Sequence, residues 1–408
     1  MKTKHQSALF FLAIFCTSIF AQGTWTKKTN FGGTARYGAA GFSIGTKAYI
    51  GTGVDNALFT KTFWQYDPSN DQWTQEADFP GPGRYQPVSF SIGTKGYVGT
   101  GGAGFTFPFS PVYKDFWEYD PGNNTWTQKA DFGGVARGAA SAFSIGNKGY
   151  IGTGFNDVTY FQNDFWEYDP SNDTWTQRAD FGGAARCDAV GFSIGSKGYI
   201  GTGGDYGAAS PLFKDFWEYD PSNDQWTKKS NFGGTARSLA AGFSIGSKGY
   251  IGTGGNFTSV SYKDFWEYDP SSDQWTKKAN FGGTARWLAV GFSVGSKGYM
   301  GTGGSGFSPD FKDLWEYTQS TAINELDNPI SISVYPNPSS GVFTIQTDEQ
   351  SKADKIVLAV YDVKGERIYQ SSSVGYPLSI DLSAQPRGVY FLNIRINERS
   401  INKKIIVQ

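Results

Sequence analysis

The sequence predicts an all-β protein, with a six-bladed β-propeller followed by a small C-terminal β-sandwich. Three observations indicate this fold. Glycine is abundant, with 54 residues, and aromatic residues make up 17% of the chain, as in proteins with many tight turns and large side chains packed between strands. A block of sequence recurs six times at intervals of about 50 residues, which is the signature of a repeat architecture. After Tyr317 the repeats stop and a different alternating pattern begins.

The first 21 residues have the pattern of an export signal. Two lysines precede an apolar run from Ala8 to Phe20, and Ala21 offers a small residue for cleavage. The run is shorter than the roughly 20 apolar residues that a transmembrane helix needs. Cys16 leaves a lipoprotein as an alternative, although the bulky Phe15 before it disfavours lipid attachment. We therefore expect a secreted protein without a transmembrane segment.

The composition excludes several classes of active site. The only histidine is His5, which lies with Cys16 in the predicted signal, so Cys187 would be the one cysteine of the mature chain. Such a chain can form no intramolecular disulfide, no usual zinc, copper or non-haem iron site, and no Ser-His or Cys-His nucleophile. Because 36 basic residues balance 37 acidic ones, no global field attracts nucleic acid. We expect no cofactor and no nucleic-acid partner.

Each repeat is predicted to form four strands. In the repeat that begins at Arg237, the small apolar residues of 239–245 predict an inner strand near a crowded axis, and residues 249–255 form the second strand. After a variable loop, residues 265–268 alternate with a period of two, and an Asp-Pro turn leads to an outer strand around Trp275. Radially repeated four-stranded sheets make a propeller, because each sheet covers the faces that its neighbours would otherwise expose.

The two ends of the repeat region predict how the ring closes. The sixth unit stops at Tyr317 without an outer strand, and the mature N-terminus supplies the missing sequence around Trp25. We expect this N-terminal strand to complete the sixth blade and to hide strand edges. The propeller would then span residues 22–318, and deletion of residues 22–30 would lower its melting temperature sharply.

These repeats resemble kelch repeats. That family shows a glycine doublet, followed by a tyrosine and a tryptophan separated by six residues. Pairs with this spacing occur five times, at Tyr66/Trp73, Tyr119/Trp126, Tyr168/Trp175, Tyr219/Trp226 and Tyr268/Trp275. The doublet is present in four units and is replaced by Gly53-Val54 and Gly154-Phe155 in the other two, where we expect different turns. The resemblance covers residues 22–318 and implies a kelch-type propeller.

The C-terminal segment has a pattern of its own. Residues 319–331 are polar and contain no repeat element, which predicts a linker, and alternating strands fill residues 332–408. This segment resembles the type A C-terminal sorting domain of the type IX secretion system of Bacteroidota, through Tyr335-Pro336-Asn337-Pro338, Gly388-Val389-Tyr390 and its basic, then apolar end. The resemblance implies passage through the periplasm and across the outer membrane by the type IX machinery, removal of this domain, and release or attachment of the product at the cell surface. A carbohydrate-binding or fibronectin-like sandwich that stays attached is the alternative.

An arginine at the entry to each inner strand is the first candidate for a ligand-binding site. Six-fold symmetry would place these residues around one mouth of the channel, and guanidinium groups bind carboxylates in a bidentate manner. The set consists of Arg36, Arg84, Arg137, Arg186, Arg237 and Arg286. Their perfect repetition favours a structural alternative, in which each pairs with a repeated glutamate such as Glu118 or Glu316. The first repeat has Gln65 in place of the glutamate, so Arg36 would lack that partner.

The residue after each arginine and the loops after the glycine-rich strands are two further candidates. Tyr37, Tyr85 and Trp287 follow the arginines of three contiguous blades and could form an aromatic platform for a sugar or a peptide side chain, although drift explains this variation equally well. The aromatic residues of the loops either form a recognition surface or cap the blades. They are Phe105, Phe107, Phe109, Tyr113, Tyr160, Phe161, Tyr206, Phe213, Phe257 and Tyr262.

The sequence therefore predicts a non-enzymatic, secreted or cell-surface binding protein that recognises glycans or another extracellular macromolecule. A structural adhesin is one alternative. Another is a propeller isomerase resembling sialic acid mutarotase, because six-bladed kelch propellers include such an enzyme. The isomerase would require a carboxylate inside the channel mouth, and Asp188, which lies next to the arginines, is the candidate. Kelch propellers that are copper radical oxidases are excluded by the lack of histidine ligands.

Overall fold

The computed structural model describes residues 23–104, 111–158, 160–205, 211–256, 260–305, 310–320, 332–347, 356–373, 377–396 and 399–408. The predicted signal peptide and residues 321–331 of the predicted linker lie outside these ranges. The chain divides into two compact units, one ending at Thr321 and the other beginning at Ala322. None of the described segments forms a helix of the length and apolarity that crossing a bilayer requires.

The first unit is built from six four-stranded antiparallel sheets, which confirms the prediction of a propeller. Its strands are β1 (Thr24–Lys28), β2 (Ala40–Ile44), β3 (Lys47–Gly51), β4 (Val54–Asp55), β5 (Leu58–Phe59), β6 (Phe63–Asp67), β7 (Gln72–Glu76), β8 (Val88–Ile92), β9 (Lys95–Gly99), β10 (Phe116–Asp120), β11 (Thr125–Lys129), β12 (Ser141–Ile145), β13 (Lys148–Gly152), β14 (Phe155–Asn156), β15 (Tyr160–Phe161), β16 (Phe165–Asp169), β17 (Thr174–Arg178), β18 (Val190–Ile194), β19 (Lys197–Gly201), β20 (Phe216–Asp220), β21 (Gln225–Lys229), β22 (Ala241–Ile245), β23 (Lys248–Gly252), β24 (Phe265–Asp269), β25 (Gln274–Lys278), β26 (Val290–Val294), β27 (Lys297–Gly301) and β28 (Leu314–Thr318).

Each blade runs from an inner to an outer strand in chain order, except the last. The first blade is β2-β3-β6-β7, and the sixth is β26-β27-β28 with β1 as its outer strand. Trp25 of β1 lies opposite Tyr317 of β28 in the antiparallel register, the place that Trp73 occupies opposite Tyr66 in the first blade. The ring is therefore closed by hydrogen bonds between the two ends of the propeller chain.

Aromatic side chains hold neighbouring blades together. Within the first blade, the ring of Tyr49 stacks on Phe63 at a centroid distance of 5.7 Å. Phe63 in turn meets Tyr119 and Trp126 of the second blade edge to face, at 4.9 and 5.0 Å. Rings in this arrangement add to the free energy of burying their apolar area. The period-two burial of the inner strands follows from this packing, because one face of each sheet meets each neighbour.

A closed ring of backbone hydrogen bonds surrounds the propeller axis at one mouth. In each blade the second residue after the arginine donates its N–H to the carbonyl of the equivalent residue in the preceding blade, at 2.7–3.3 Å. The six members are Gly38, Gln86, Ala139, Asp188, Leu239 and Leu288. All six have a positive φ, between 50 and 62°. Only Gly38 is a glycine, the residue type that usually adopts this conformation. We call this feature the axial ring.

The second unit is a β-sandwich. A three-stranded sheet, β29-β30-β33, and a four-stranded sheet, β32-β31-β34-β35, share one apolar core that includes Phe343, Ile380, Leu358 and Ile405. The strands are β29 (Ile332–Tyr335), β30 (Val342–Thr347), β31 (Ile356–Tyr361), β32 (Arg367–Ser373), β33 (Leu378–Asp381), β34 (Gly388–Ile396) and β35 (Arg399–Val407). The Asn337 side chain donates to the carbonyl of Lys404 and accepts from the N–H of Ile406, so the opening motif binds the C-terminal strand.

Candidate ligand-binding face

The six arginines lie below the protein surface. The exposed fraction of Arg36 is 1%, and that of the other five is 0%. In the sixth blade, Nη1 and Nη2 of Arg286 bind the two carboxylate oxygens of Asp313 at 2.6 and 2.9 Å, and Nη1 also donates to the carbonyl of Thr302. Trp315 Nε1 donates to the same carboxylate at 2.7 Å. The equivalent ion pairs are Arg84–Asp115, Arg137–Asp164, Arg186–Asp215 and Arg237–Asp264.

The glutamates predicted as partners of the arginines have a different role, so that part of the structural alternative was wrong. Glu316 accepts a hydrogen bond from the hydroxyl of Tyr299, which lies directly opposite it on the neighbouring strand. The aspartate instead comes immediately before its strand begins, close to the arginine. Five of the six arginines therefore already hold a carboxylate from their own blade, and none of these six side chains faces solvent.

The aspartates depend on their arginines for ionisation. Desolvation raises the pKa of Asp313, but hydrogen bonds from Arg286 and Trp315 and the charge of Arg286 outweigh it, so the pKa lies below its ordinary value. The same balance lowers the pKa of Asp164, Asp215 and Asp264. These groups form a fixed ionic frame beneath the mouth.

The residue after each arginine makes the same main-chain hydrogen bonds in every blade. In every blade it forms an antiparallel bridge with the residue that follows the first glycine of the doublet position, for example Tyr37 with Val54 and Trp287 with Gly304. The first glycine also donates to the carbonyl of the next blade's arginine, as Gly53 does to Arg84 at 2.8 Å. Because main-chain bonds define this position, its side chain can differ from blade to blade without cost to the scaffold.

Two of the three predicted platform residues lie together. The rings of Tyr37 and Trp287 meet edge to face at a centroid distance of 5.5 Å, and both are partly exposed. Tyr85 is 93% buried and packs beside Phe59 at a centroid distance of 5.9 Å. The platform is therefore an aromatic pair at the junction of the first and sixth blades, with Tyr85 as part of the wall.

A carboxylate with a raised pKa adjoins this pair. Desolvation, reinforced by the negative charge of Asp55, raises the pKa of Asp310 to about 6. Burial and the charge of Asp310 also raise the pKa of the Tyr37 hydroxyl. Tyr37, Trp287 and Asp310 are called the mouth cluster below. Among the described residues, no three His, Cys, Asp or Glu side chains come together in a way that could hold a metal ion.

A small cavity lies beside the axis. Its lining includes Tyr85, Gln86, Ala139, Cys187 and Asp188. Asp188 is 92% buried, its carboxylate accepts a hydrogen bond from the Gln86 side-chain amide across the intervening blade, and it also accepts one from the Cys187 thiol at 3.5 Å. Asp188, the sequence candidate for the carboxylate that an isomerase would require, thus lines this cavity, and its bond to Gln86 was not anticipated.

The loop aromatics that the structure describes mainly cap the arginines. Tyr113 lies over Arg84, Phe213 over Arg186 and Tyr262 over Arg237, at 4.1–4.5 Å from the guanidinium carbon to the ring centroid. Tyr160 is half exposed. Phe105, Phe107, Phe109, Tyr206 and Phe257 lie outside the described residues.

Asp310 was missed in the sequence because it lies in a loop and belongs to no repeated pattern. The five aspartates that bind the arginines carried a usable signal, since each precedes Phe-Trp or Leu-Trp and the first repeat alone has threonine there, Thr62. Gln86 and Asp188 share one repeat position and differ in chemistry, but only the closed ring brings them within bonding distance.

Comparisons with known proteins agree with both units. Residues 333–408 match the secretion system C-terminal sorting domain, and residues 35–80 match the kelch motif. No curated protein sequence matches the chain. A solved structure titled "Structure of YjhT" is similar with a TM-score of 0.61 and 16% sequence identity, over 70% of this chain and 95% of that one. At this identity the likeness shows the fold alone.

Proposed function

We propose that this chain, a kelch-type β-propeller followed by a type IX secretion sorting domain, is a non-enzymatic binding protein that recognises glycans or another extracellular macromolecule outside the cell. Its C-terminal domain supports export across the outer membrane to the cell surface or the medium. The mouth cluster is the observation that carries the binding proposal. It combines two partly exposed aromatic rings with a carboxylate on a rigid frame.

The chemistry of the mouth cluster suits a carbohydrate. Sugar rings present C–H faces that pack on Tyr37 and Trp287, and their hydroxyls donate to carboxylates such as Asp310. Because main-chain hydrogen bonds hold the frame, these side chains lose little conformational freedom when a ligand binds. The buried arginines and Tyr85 support the site from below.

Binding of the mature chain, residues 22–408, to an array of neutral and acidic polysaccharides tests this proposal. We expect binding that the double variant Tyr37→Ala/Trp287→Ala loses by at least tenfold in affinity. The matched control, Thr94→Ala/Ser296→Ala, alters exposed turn residues at the opposite end of the inner strands and should bind like the wild type. Unchanged binding in the Tyr37/Trp287 variant would move the site away from the mouth cluster. Absence of binding to every glycan would favour a protein partner or a structural adhesin.

A second candidate function rests on Asp188. Its carboxylate lies in the axial cavity, where a propeller isomerase resembling sialic acid mutarotase would need an acid or base. An NMR measurement of anomer exchange in acidic sugars addresses this candidate directly. Exchange that the wild type accelerates and Asp188→Asn does not would favour the isomerase, whereas equal rates with and without the protein would rule it out.

A further inference from the structure

The first blade lacks an anion that the other five blades contain. In the fourth blade, Nη1 and Nη2 of Arg186 and Nε1 of Trp217 converge on the carboxylate of Asp215 at 2.6, 2.8 and 2.8 Å. The second, third, fifth and sixth blades repeat this arrangement. In the first blade the residue at the aspartate position is Thr62.

The cationic donor of the first blade keeps the orientation of its counterparts. Arg36 Nε donates to the carbonyl of Thr34, Nη1 donates to that of Thr52 at 2.9 Å, and the guanidinium lies 4.8 Å from the Phe31 ring centroid. Arg84 makes the same three contacts in the second blade, with Pro82, Thr100 and Phe79. The donor geometry is therefore independent of the missing carboxylate.

The second donor is unpaired. Trp64 Nε1 is buried and has no hydrogen-bond partner among the described residues, whereas the equivalent tryptophans of the other blades donate to their aspartates. A buried N–H group without a partner costs about 1–3 kcal/mol. It is thus a vacant donor that points to where a carboxylate lies in the other five blades.

The charge of Arg36 is also uncompensated at close range. Within the described part of the chain, Arg36 forms no ion pair. Its Nη2 donates to the hydroxyls of Thr34 and Thr62 at 3.2 and 2.9 Å, and its Nε and Nη1 donate to carbonyl oxygens. Desolvation lowers its pKa to about 10, and the negative charges of Asp55 and Asp78 offset this only in part. A small anion that displaces the Thr62 hydroxyl from Arg36 Nη2 would supply the missing counter-charge.

The position can be approached from solvent. The aspartate side chains of the other blades are 19–22% exposed, and Thr62 is likewise partly exposed. In four blades a second aromatic ring covers the guanidinium, for example Phe311 over Arg286. Thr60 takes this place in the first blade, and its hydroxyl lies 3.2 Å from that of Thr62. One of these two hydroxyls remains able to donate a hydrogen bond outward.

We propose that the first blade binds a compact anion, above all a carboxylate group, through the Arg36 guanidinium and Trp64 Nε1, with the Thr60 and Thr62 hydroxyls at its edge. The site reproduces with an external carboxylate what an aspartate provides in each of the other blades. The carboxylate can belong to a free acid or to an acidic sugar. This inference stands apart from recognition at the mouth cluster, because the two sites use different side chains.

Thermal melting of the mature chain in increasing acetate at pH 7 tests the site, with Thr62→Asp as the matched variant. We expect the melting temperature of the wild type to rise with acetate concentration and then to reach a plateau. Thr62→Asp should melt higher without acetate and lose the saturating response, because its own carboxylate fills the site. Equal acetate responses in the two proteins would overturn the proposal. Repeating the titration with galacturonate distinguishes the sources, since a larger effect than with acetate assigns the carboxylate to an acidic sugar.

An NMR titration provides a readout that is independent of stability. The indole N–H resonance that is absent in Trp64→Phe belongs to Trp64, and we expect acetate to shift that resonance in the wild type with the same midpoint as the melting effect. In Thr62→Asp this resonance should already lie near the acetate-saturated position and should not move. A Trp64 resonance that does not respond to acetate in the wild type would overturn the proposal.

Discussion

Single residues at equivalent positions show how this protein separates scaffold from chemistry. Arg186 and Asp215 repeat because a buried guanidinium needs a counter-charge, and removing one partner of such a pair leaves the other desolvated. The position after the arginine does not repeat, because main-chain hydrogen bonds hold it. Recognition side chains such as Tyr37 and Trp287 can therefore be placed on a frame whose stability does not depend on them.

Asp310 should make the stability of the propeller depend on pH between about 4 and 6. Its pKa in the folded protein is about 6, above the ordinary value of 3.8, so ionisation disfavours the folded state as pH rises through this interval. We expect Asp310→Asn to raise the melting temperature at pH 7.5 and to change it little at pH 3.5, where most of the carboxyl is protonated in both states. Differential scanning fluorimetry from pH 3.5 to 8 measures the difference.

The control for this experiment is Asp180→Asn, which changes an exposed aspartate on the third blade. It should shift the melting temperature by nearly the same amount at each pH. If wild-type and Asp310→Asn curves ran parallel over the whole range, the raised pKa of Asp310 would be incorrect.

Among the six outer strands of the blades, β1 alone comes from the opposite end of the propeller chain. Trp25 packs on Phe265, Phe281 and Tyr317 at centroid distances of 4.9–5.1 Å, and its Nε1 donates to the carbonyl of Ala279. The outer strands of the other blades are joined to their sheets by turns, whereas only non-covalent contacts hold β1 against β28. Closure thus depends on a five-residue strand.

Trp25→Ala should release this strand. Loss of a large, partly buried aromatic side chain costs about 3 kcal/mol, and here it also frees β1 from the sheet. We expect a lower melting temperature and faster hydrogen exchange of the β28 amides, with deletion of residues 22–30 causing a larger effect of the same kind. Trp126→Ala is the matched control, because Trp126 has the equivalent position in the second blade. Its neighbour β10 should stay protected, and equal exchange in the two variants would contradict the role of β1.

The seam between the sixth and first blades shows how closure affects packing. In the second blade, Gly96 leaves room for the ring of Phe42, and an added Cβ would overlap that ring. The first blade has Ala48 at this position, against Phe292. Leu314 of the sixth blade replaces the phenylalanine that begins the third strand in the other five blades. Phe292 stacks on Tyr299 with an angle of 15° between the ring planes. Two substitutions on opposite sides of the seam thus accompany each other.

The whole molecule joins two independent units, a propeller and a sorting domain. Each has its own core: the sandwich buries residues of both of its sheets, and the propeller buries residues of adjacent blades. The arrangement is appropriate if the second unit directs export and the first acts at the destination. Stability and localisation can then be altered separately.

A chain that ends at Thr321 tests this separation. We expect it to keep the melting transition of the propeller within about 2 °C and to fail to reach the cell surface or the medium, whereas the full chain is exported. Calorimetry of the purified proteins and immunoblots of cell fractions give the two readouts. Asn337→Ala in the full chain should weaken export without affecting the propeller, because Asn337 bonds the C-terminal strand. Export of the truncated chain would contradict the assigned role of the sorting domain.

The sequence correctly predicted the elements of the fold that recur in every repeat. Six copies of one block predicted the blades, and the incomplete sixth copy pointed to β1. It was less successful with the partners of the arginines. Asp115 lies immediately before β10 and Glu118 lies three residues later within it, so their positions in the sequence do not show which carboxylate binds the arginine. Only the strand register shows that the glutamate faces a tyrosine and the aspartate faces the arginine. Asp310 and the Gln86–Asp188 bond depend on loops and ring closure, which have no periodic signature.

The pairing of β1 with β28 has a topological consequence. Thr24 and Thr318, at the two ends of the propeller chain, are direct partners across the sheet. A short peptide could join them, and the chain could then be opened in any of the turns that precede an outer strand, as between Asp169 and Thr174. Every such circular permutant would encode the same ring with a different blade closed non-covalently. The order in which the blades are synthesised is therefore a property of the gene rather than of the folded structure.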